Sequence, residues 1–565
     1  MEHHLKPSRI QDYNIARALQ DIAAGQADQT GLVTRKGRGY QSWTFGQLQE
    51  NSCCYAAALH GEGVEQGQRV MLMVRPSMEF ICLTFALFRL GAVVILIDPG
   101  MGYKNLLRCV GRVRPDVLIG IPPVQLFARI FRAPFQTVRT RICVGPSWGL
   151  LGRSLAGIRD RGREVSPYRA REQDLAAVIF TTGSTGPPKG VQYTHGIFYA
   201  QLRLIHDYYG IRPGDVDQPG FPLFGLFSIA LGAKAVIPEM NPAQPARVDS
   251  RKFIRTIIDQ QVSYSFGSPA IWNVVSRYCI DHDIVLPVRK ILMAGAPVPG
   301  ALIERVRQIM PEGGEIHVPY GATESLPIAS MTGTEVLEST WELSRQGKGA
   351  CVGRPLPGID IRIIAPAAGP IPSWREVREL PAGEIGEIIV KGPVVTRAYD
   401  HNDQESRQAK IVDDSSFWHR LGDMGYFDGQ GRLWFCGRKA HRVLTGQGVM
   451  YTIPCEAVFN EHPRVARSAL VGVGVPGRQQ PVLIVELVGG GTDLDERLTG
   501  ELRELARAHT LTGMIDTFLV HPAFPVDIRH NAKIFREKLA RWAEEKVPAQ
   551  ADAGGRGQQD KTDFL

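Results

Sequence analysis

No two of the nine cysteines are spaced C-x-x-C, and none clusters with histidine at zinc-ligand spacing. This odd, scattered set (Cys53, Cys54, Cys82, Cys109, Cys143, Cys279, Cys351, Cys436 and Cys455) argues against a disulfide framework and suits reduced thiols in a cytoplasmic protein. Long apolar runs are missing too. The most apolar stretch, Phe80–Ile97, is broken by Arg89 and Gly91, so it reads as helix, glycine turn and strand and no transmembrane segment is expected. The opening MEHHLKPSRI is charged and has no apolar centre, so no secretory signal is expected. No long basic run is interleaved with aromatics, which removes nucleic acid from the expected partners. The cationic excess is small: 65 Lys and Arg stand against 57 Asp and Glu, a formal charge of +8. A solvated basic surface accounts for it; an anionic substrate such as a nucleotide is the sharper reading.

What is present is a chain of 565 residues, enough for two to four domains and a core that needs no covalent staples. Helical and strand patterns alternate along most of it. Arg69–Val74 reads as a strand, Met78–Leu90 as a helix and Ala92–Ile97 as an apolar β-branched strand. That βαβ unit implies a parallel sheet with helices on its faces. Gly383–Val395 and Gly422–Cys436 are turn-punctuated and strand-rich, with a turn expected at Asp428-Gly429, and read as antiparallel strands closing the large part. A small module follows, with a helix starting near Pro454 and a strand over Ser468–Val473. After Val547 the Gly, Ala and polar-rich tail reads as disordered.

The strongest chemical motif runs Ile179-Phe180-Thr181-Thr182-Gly183-Ser184-Thr185-Gly186-Pro187-Pro188-Lys189-Gly190, after an apolar strand over Ala176–Phe180. Three glycines and four hydroxyls within ten residues can turn several backbone N–H groups and hydroxyls toward one polyanion, and Lys189 adds a mobile positive charge. The spacing is not that of a Walker A loop. In Tyr320-Gly321-Ala322-Thr323-Glu324 the carboxylate can hold Mg²⁺ and the ring can stack on a base, although the string alone also suits a polar surface turn. Asp423, in a Leu-Gly-Asp string, and Arg438, in a Gly-Arg-Lys string, can hold ribose hydroxyls; singly, each would be a solvated charge. Lys533, taken alone, is a surface lysine.

In this order the strings TTGSTGPPKG, MAGAP (Met293–Pro297), YGATE, LGDMG, GRK and the late lysine resemble the acyl-adenylate-forming superfamily over roughly residues 15–545. The resemblance implies a large α/β N-terminal domain with mixed and parallel sheets (residues 1–436), a small mobile α+β domain (437–547), and a tail (548–565). It implies ATP and Mg²⁺ as cofactors and a small carboxylic acid as substrate, bound in the cleft between the domains. Thr181, Thr182, Gly183, Ser184, Thr185 and Lys189 match the phosphate loop, with Thr181 and Glu324 toward the metal. Gly295, Ala296, Pro297, Tyr320 and Gly321 match the adenine pocket, Thr323 the phosphate position, and Asp423 and Arg438 the ribose contacts. Lys533 matches the mobile lysine that faces charge developing in adenylation, so Lys533, Thr181 and Glu324 are the catalytic candidates.

Within the superfamily, Tyr320–Ser330, Gly349–Pro355 and Phe524–Leu539 resemble the β-lactone synthetases of bacterial long-chain olefin biosynthesis. That likeness implies closure of a β-hydroxyacyl-AMP to a lactone, and a complex with other enzymes of the olefin pathway. A fatty acyl-CoA or acyl-AMP ligase shares the first half-reaction, and a non-catalytic nucleotide-binding relative is the alternative of another class. The chain departs from the wider pattern at Ala440, where relatives carry an Asp or Lys hinge, and at Ala532, where the common ligases carry glycine. It departs also at Gly225, in Pro222-Leu223-Phe224-Gly225, which either makes room for the acyl group or is a loop glycine. Two decoys are set aside. Gly145–Gly149 fits G-x-S-x-G around Ser147 but begins a helix poorly. Gly472–Gly477 fits G-x-G-x-x-G but leads into a strand pattern, Pro481–Val488.

Overall fold

The computed structural model describes residues 12–159, 165–181, 187–527 and 533–547, without the side chains at 99 and 181. The tail expected after Val547 lies outside the described residues. The chain divides into two units whose boundary falls between Lys439 and Ala440; Val526, Asp527 and Lys533 group with the larger unit.

The βαβ expectation holds almost residue for residue. The strands run Arg69–Met73 and Val93–Leu96, and the helix between them is Met78–Leu90. Ser77 starts the helix by accepting the Phe80 N–H on its hydroxyl. Gly91 ends it in the left-handed region (φ 70°), where an added Cβ would also lie 2.7 Å from the Tyr168 ring. Every residue from Phe80 to Leu90 is buried, Arg89 included, because the helix lies within the core rather than on it. Among the described residues no helix is long and apolar enough to cross a membrane.

The larger unit holds two sheets. In the seven-stranded one the order is Arg153–Ser154, Thr140–Cys143, Val117–Gly120, Arg69–Met73, Val93–Leu96, Leu175–Thr181, Lys189–Thr194. All neighbours are parallel except the last pair. The other, fourteen-stranded sheet carries a parallel run through Tyr264–Gly267, Lys290–Met293 and Glu315–Ala322. It continues antiparallel through Ser325–Thr332, Ala350–Pro355, Leu433–Arg438, Ser416–Phe427, Gly386–Lys391 and Asp360–Ile364. The expected turn is held by Asp428: one carboxylate oxygen accepts the Gln430 and Arg432 N–H groups, and the other accepts from the Arg432 and Trp434 side chains.

The smaller unit has a three-stranded sheet, Val465–Val473 antiparallel to Gln480–Leu487, itself parallel to Thr517–Val520. Its first helix, Thr452–Phe459, carries Pro454 in the first turn, and its leading strand starts three residues before the expected Ser468. Both decoys fall away. Ser147 is followed by turns and the short strand Arg153–Ser154, and Gly472–Gly477 by the strand Gln480–Leu487.

Gly225 is not a loop glycine: it lies in the helix Phe224–Ala230, where a Cβ would make ordinary contacts with Pro219, Ala235 and Ile237 at 3.5–3.7 Å. Under the same helix sits a buried polar cluster. The Ser228 hydroxyl donates to Asp217 Oδ2 (2.5 Å), the Tyr264 hydroxyl donates to Ser228 Oγ (2.9 Å), and Asp217 Oδ1 has no partner among the described residues. Burial pushes the Asp217 carboxyl from 3.8 up to about 7. The native state therefore keeps a proton that the unfolded chain releases. This contribution is complete below 3.8 and is lost as pH rises through about 7. The urea midpoint should fall as pH rises from about 5 to about 8, and Asp217→Asn should lose that part of the slope, measured by far-UV circular dichroism.

Candidate active site

The parallel strands aim the sequence motifs at one region. Gly295, Ala296 and Pro297 follow the carboxyl end of Lys290–Met293, and Tyr320 to Glu324 end the neighbouring strand Glu315–Ala322 and make its turn. Ligands of open α/β sheets bind beyond such ends. Gly295 takes φ 101°, and a Cβ on Gly321 would lie 2.5 Å from the Ser325 carbonyl oxygen, so the Tyr-Gly-Ala-Thr-Glu turn closes too tightly for any other residue.

Asp423 and Arg438, fifteen positions apart in sequence, face each other across two antiparallel strands. The Arg438 guanidinium donates to Asp423 Oδ1 (2.7 Å) and the Tyr320 hydroxyl donates to Oδ2 (2.6 Å). Burial and this carboxylate push the Tyr320 hydroxyl well above its ordinary pKa, and the same carboxylate raises that of Arg438. Tyr320 thus stays a donor beside the Asp423 carboxyl, a pairing suited to the diol of a ribose.

A second group surrounds Glu324. The Tyr399 hydroxyl donates to its Oε1 (2.8 Å), the Thr396 N–H donates to its backbone oxygen (2.8 Å), and the Tyr193 hydroxyl donates to the Thr323 carbonyl. Oε2 of Glu324 takes no hydrogen bond from a described residue. Among the described residues no three His, Cys, Asp or Glu side chains form a metal cage. A lone hard carboxylate oxygen is the donor set Mg²⁺ accepts when substrate phosphates supply other ligands, so the residues present fit that ion.

The phosphate loop's calls at Thr182, Gly183, Ser184 and Thr185 lie outside the described residues, as does the side chain of Thr181. Its two ends are paired, Thr181 opposite Lys189. Lys189 begins the return strand Lys189–Thr194, its ammonium contacts Glu405 Oε2 (2.6 Å) and lies 5.1 Å from the centre of the Tyr399 ring. Lys533 is exposed, and its carbonyl oxygen accepts the Asp527 N–H (2.9 Å); Ala532 lies outside the described residues.

Four residues at this site carry no motif of their own: Tyr399, Glu405, Lys410 and His419. Glu405 has a usable signal, because Asn402 three places earlier is a helix N-cap and accepts the Glu405 N–H. Lys410 and His419 are opposite each other on the neighbouring strands Lys410–Asp413 and Ser416–Phe427. The Lys410 ammonium donates to the Thr396 carbonyl, and burial lowers it from 10.5 to about 7 while Glu324 pulls it upward. His419 hydrogen-bonds the Ala409 carbonyl through Nδ1 (3.2 Å), and burial, then the charge of Lys410, holds it well below its ordinary pKa.

The family described as AMP-binding enzyme matches residues 19–400. The olefin β-lactone synthetase of Xanthomonas campestris pv. campestris is 44% identical over 547 residues, covering 94% of this chain and 97% of that protein. The olefin β-lactone synthetase of Stenotrophomonas maltophilia is 43% identical over 554 residues, covering 95% and 99%. The structure of O-succinylbenzoate coenzyme A synthetase from Bacillus subtilis, in complex with ATP and magnesium ion, shares the fold with a TM-score of 0.73. It covers 92% of this chain and 98% of that one at 21% identity.

Proposed function

The chain belongs to the AMP-binding enzyme family, and from that membership we propose that it is an AMP-forming ligase that activates a long-chain β-hydroxy acid as acyl-AMP and closes it to a β-lactone. The observation that carries this reading is identity above 40% over nearly the whole length with two olefin β-lactone synthetases. A small-molecule carboxylic acid is the substrate and ATP the co-substrate; a complex with other enzymes of olefin formation belongs to the same reading. We assign residues 1–436 to the adenylation domain and 437–547 to the small domain.

In the first half-reaction a carboxylate oxygen of the acid attacks the α-phosphorus of ATP and pyrophosphate leaves. Asp423, held by Arg438 and Tyr320, accepts the ribose hydroxyls. Gly295, Ala296, Pro297 and Gly321, with the Tyr320 ring, border the adenine. Thr181, Thr182, Gly183, Ser184 and Thr185 donate to the phosphates, with Lys189 and Thr323 beside them. Lys533 faces the charge that grows on the α-phosphate and its leaving group. Glu324, with Thr181, would hold Mg²⁺, which when bound would supply neutralisation of that charge. In the second half-reaction the β-hydroxyl oxygen attacks the acyl carbonyl, the C–O bond to AMP breaks, and the hydroxyl proton is released to solvent or base. The acceptor is inside the substrate, so no thiol is needed.

The test is to incubate the protein with a long-chain 3-hydroxy acid, ATP and Mg²⁺ without coenzyme A. We expect AMP, pyrophosphate and a product lighter than the acid by one water, read by mass spectrometry. ADP and phosphate, or release only as a thioester once coenzyme A is added, would overturn the reading.

A further inference from the structure

Glu324 is oriented by a residue that lies 75 positions away in sequence and carries no motif. Tyr399 is buried, 7% exposed, and its hydroxyl points at one acceptor, Glu324 Oε1. Its backbone is pinned on both sides. Ala398 O accepts from the Gln192 N–H and the Asp400 N–H donates to Gly190 O, so Tyr399 sits in an antiparallel bridge with Val191, in the strand that returns from the phosphate loop. Its own N–H donates to Ser406 Oγ (2.9 Å). The next residue, Asp400, is fully buried and receives both ends of the Arg69 guanidinium (2.8 Å each) and the Gln192 amide (3.0 Å). A fork-to-fork ion pair of this kind fixes orientation as well as position.

We propose that Tyr399 is a positioning residue: its hydroxyl ties down one oxygen of the Glu324 carboxylate and thereby presents the other to the metal that accompanies ATP. The inference rests on the assignment of Glu324 as the metal carboxylate. Without the tie, the carboxylate rotates about its terminal torsion and must be ordered when the ion binds. Partners that hydrogen-bond a ligating carboxylate typically account for ~10–100-fold in metal affinity. The ring itself, which carries the Lys189 ammonium on its face, is not involved in this function and is kept by Tyr399→Phe.

Mn²⁺ is the probe, titrated by electron paramagnetic resonance into the full-length protein with a non-hydrolysable ATP analogue. In Tyr399→Phe the Mn²⁺ dissociation constant should rise ~10–100-fold. The Mg²⁺ concentration for half-maximal adenylation should rise in parallel, and excess Mg²⁺ should restore the rate. The metal-free thermal midpoint should stay at the wild-type value. Glu324→Gln is run beside it. If Glu324→Gln weakens Mn²⁺ binding and Tyr399→Phe does not, the positioning role is overturned while Glu324 keeps its own. If neither weakens it, the metal assignment of Glu324 fails and takes the proposal with it. A Tyr399→Phe protein slowed at all Mg²⁺ concentrations with unchanged Mn²⁺ affinity also overturns the proposal.

Discussion

Lys533→Ala should lower the rate of acyl-AMP formation by ~10²–10³-fold, the usual loss when one positioned donor to transition-state charge is removed. The side chain is exposed, so its truncation removes no core packing and the thermal midpoint should stay within about one degree of wild type. Lys189 contacts Glu405 at 2.6 Å and lies against the face of Tyr399. Catalysis depends on what strengthens between ground and transition state, so the cation that matters is one brought to the charge as the α-phosphate is attacked. Lys533 is the lysine that the family resemblance brings to that charge. ATP–pyrophosphate exchange with the acid present measures this step alone. A folded Lys533→Ala protein with wild-type exchange would show that the assignment follows position in the chain and not role.

Much of the fold is legible in the sequence because local chemistry marks its boundaries. The helix Met78–Leu90 begins at Ser77 and ends at Gly91, and both residues do in the structure what their types suggest. The strand Val465–Val473 of the small unit begins three residues before its expected start, beyond the interruption at Arg467. The strand continues through Arg467 because that residue contacts Glu486 on the neighbouring strand, a pairing no local window contains. The site divides the same way. Asp423 and Arg438 each read as a solvated charge, and only antiparallel register turns them into a pair. Tyr399 on Glu324, and Arg69 on Asp400 across 331 positions, are products of sheet order and leave no trace in spacing. Lys410 and His419 escape the sequence for a further reason. A lysine and a histidine in a strand pattern look solvated, yet here both lie on the covered face of the sheet, where burial discourages their charged forms.

The largest effect should come from the substrate. A long-chain acid that lacks the β-hydroxyl should be adenylated and then stall as enzyme-bound acyl-AMP, releasing pyrophosphate in one turnover and almost no AMP after it. The matching 3-hydroxy acid should turn over repeatedly under the same conditions. Proximity explains the size of the gap. An internal nucleophile held near its carbonyl acts at effective molarities on the order of 10⁵–10⁸ M, whereas bulk water is ~55 M and is hindered by a closed site. A four-membered ring opposes this with strain, so closure depends on the activated mixed anhydride and on the protein holding the hydroxyl against the acyl carbonyl. That requirement separates the lactone reading from thioester formation, where the β-carbon substituent plays no chemical part. Rapid-quench assays of pyrophosphate and AMP, with mass spectrometry of the acyl products, decide the matter. Equal steady-state AMP release from both acids, with thioester appearing only when coenzyme A is present, would make the enzyme an acyl-CoA ligase and leave the hydroxyl a bystander.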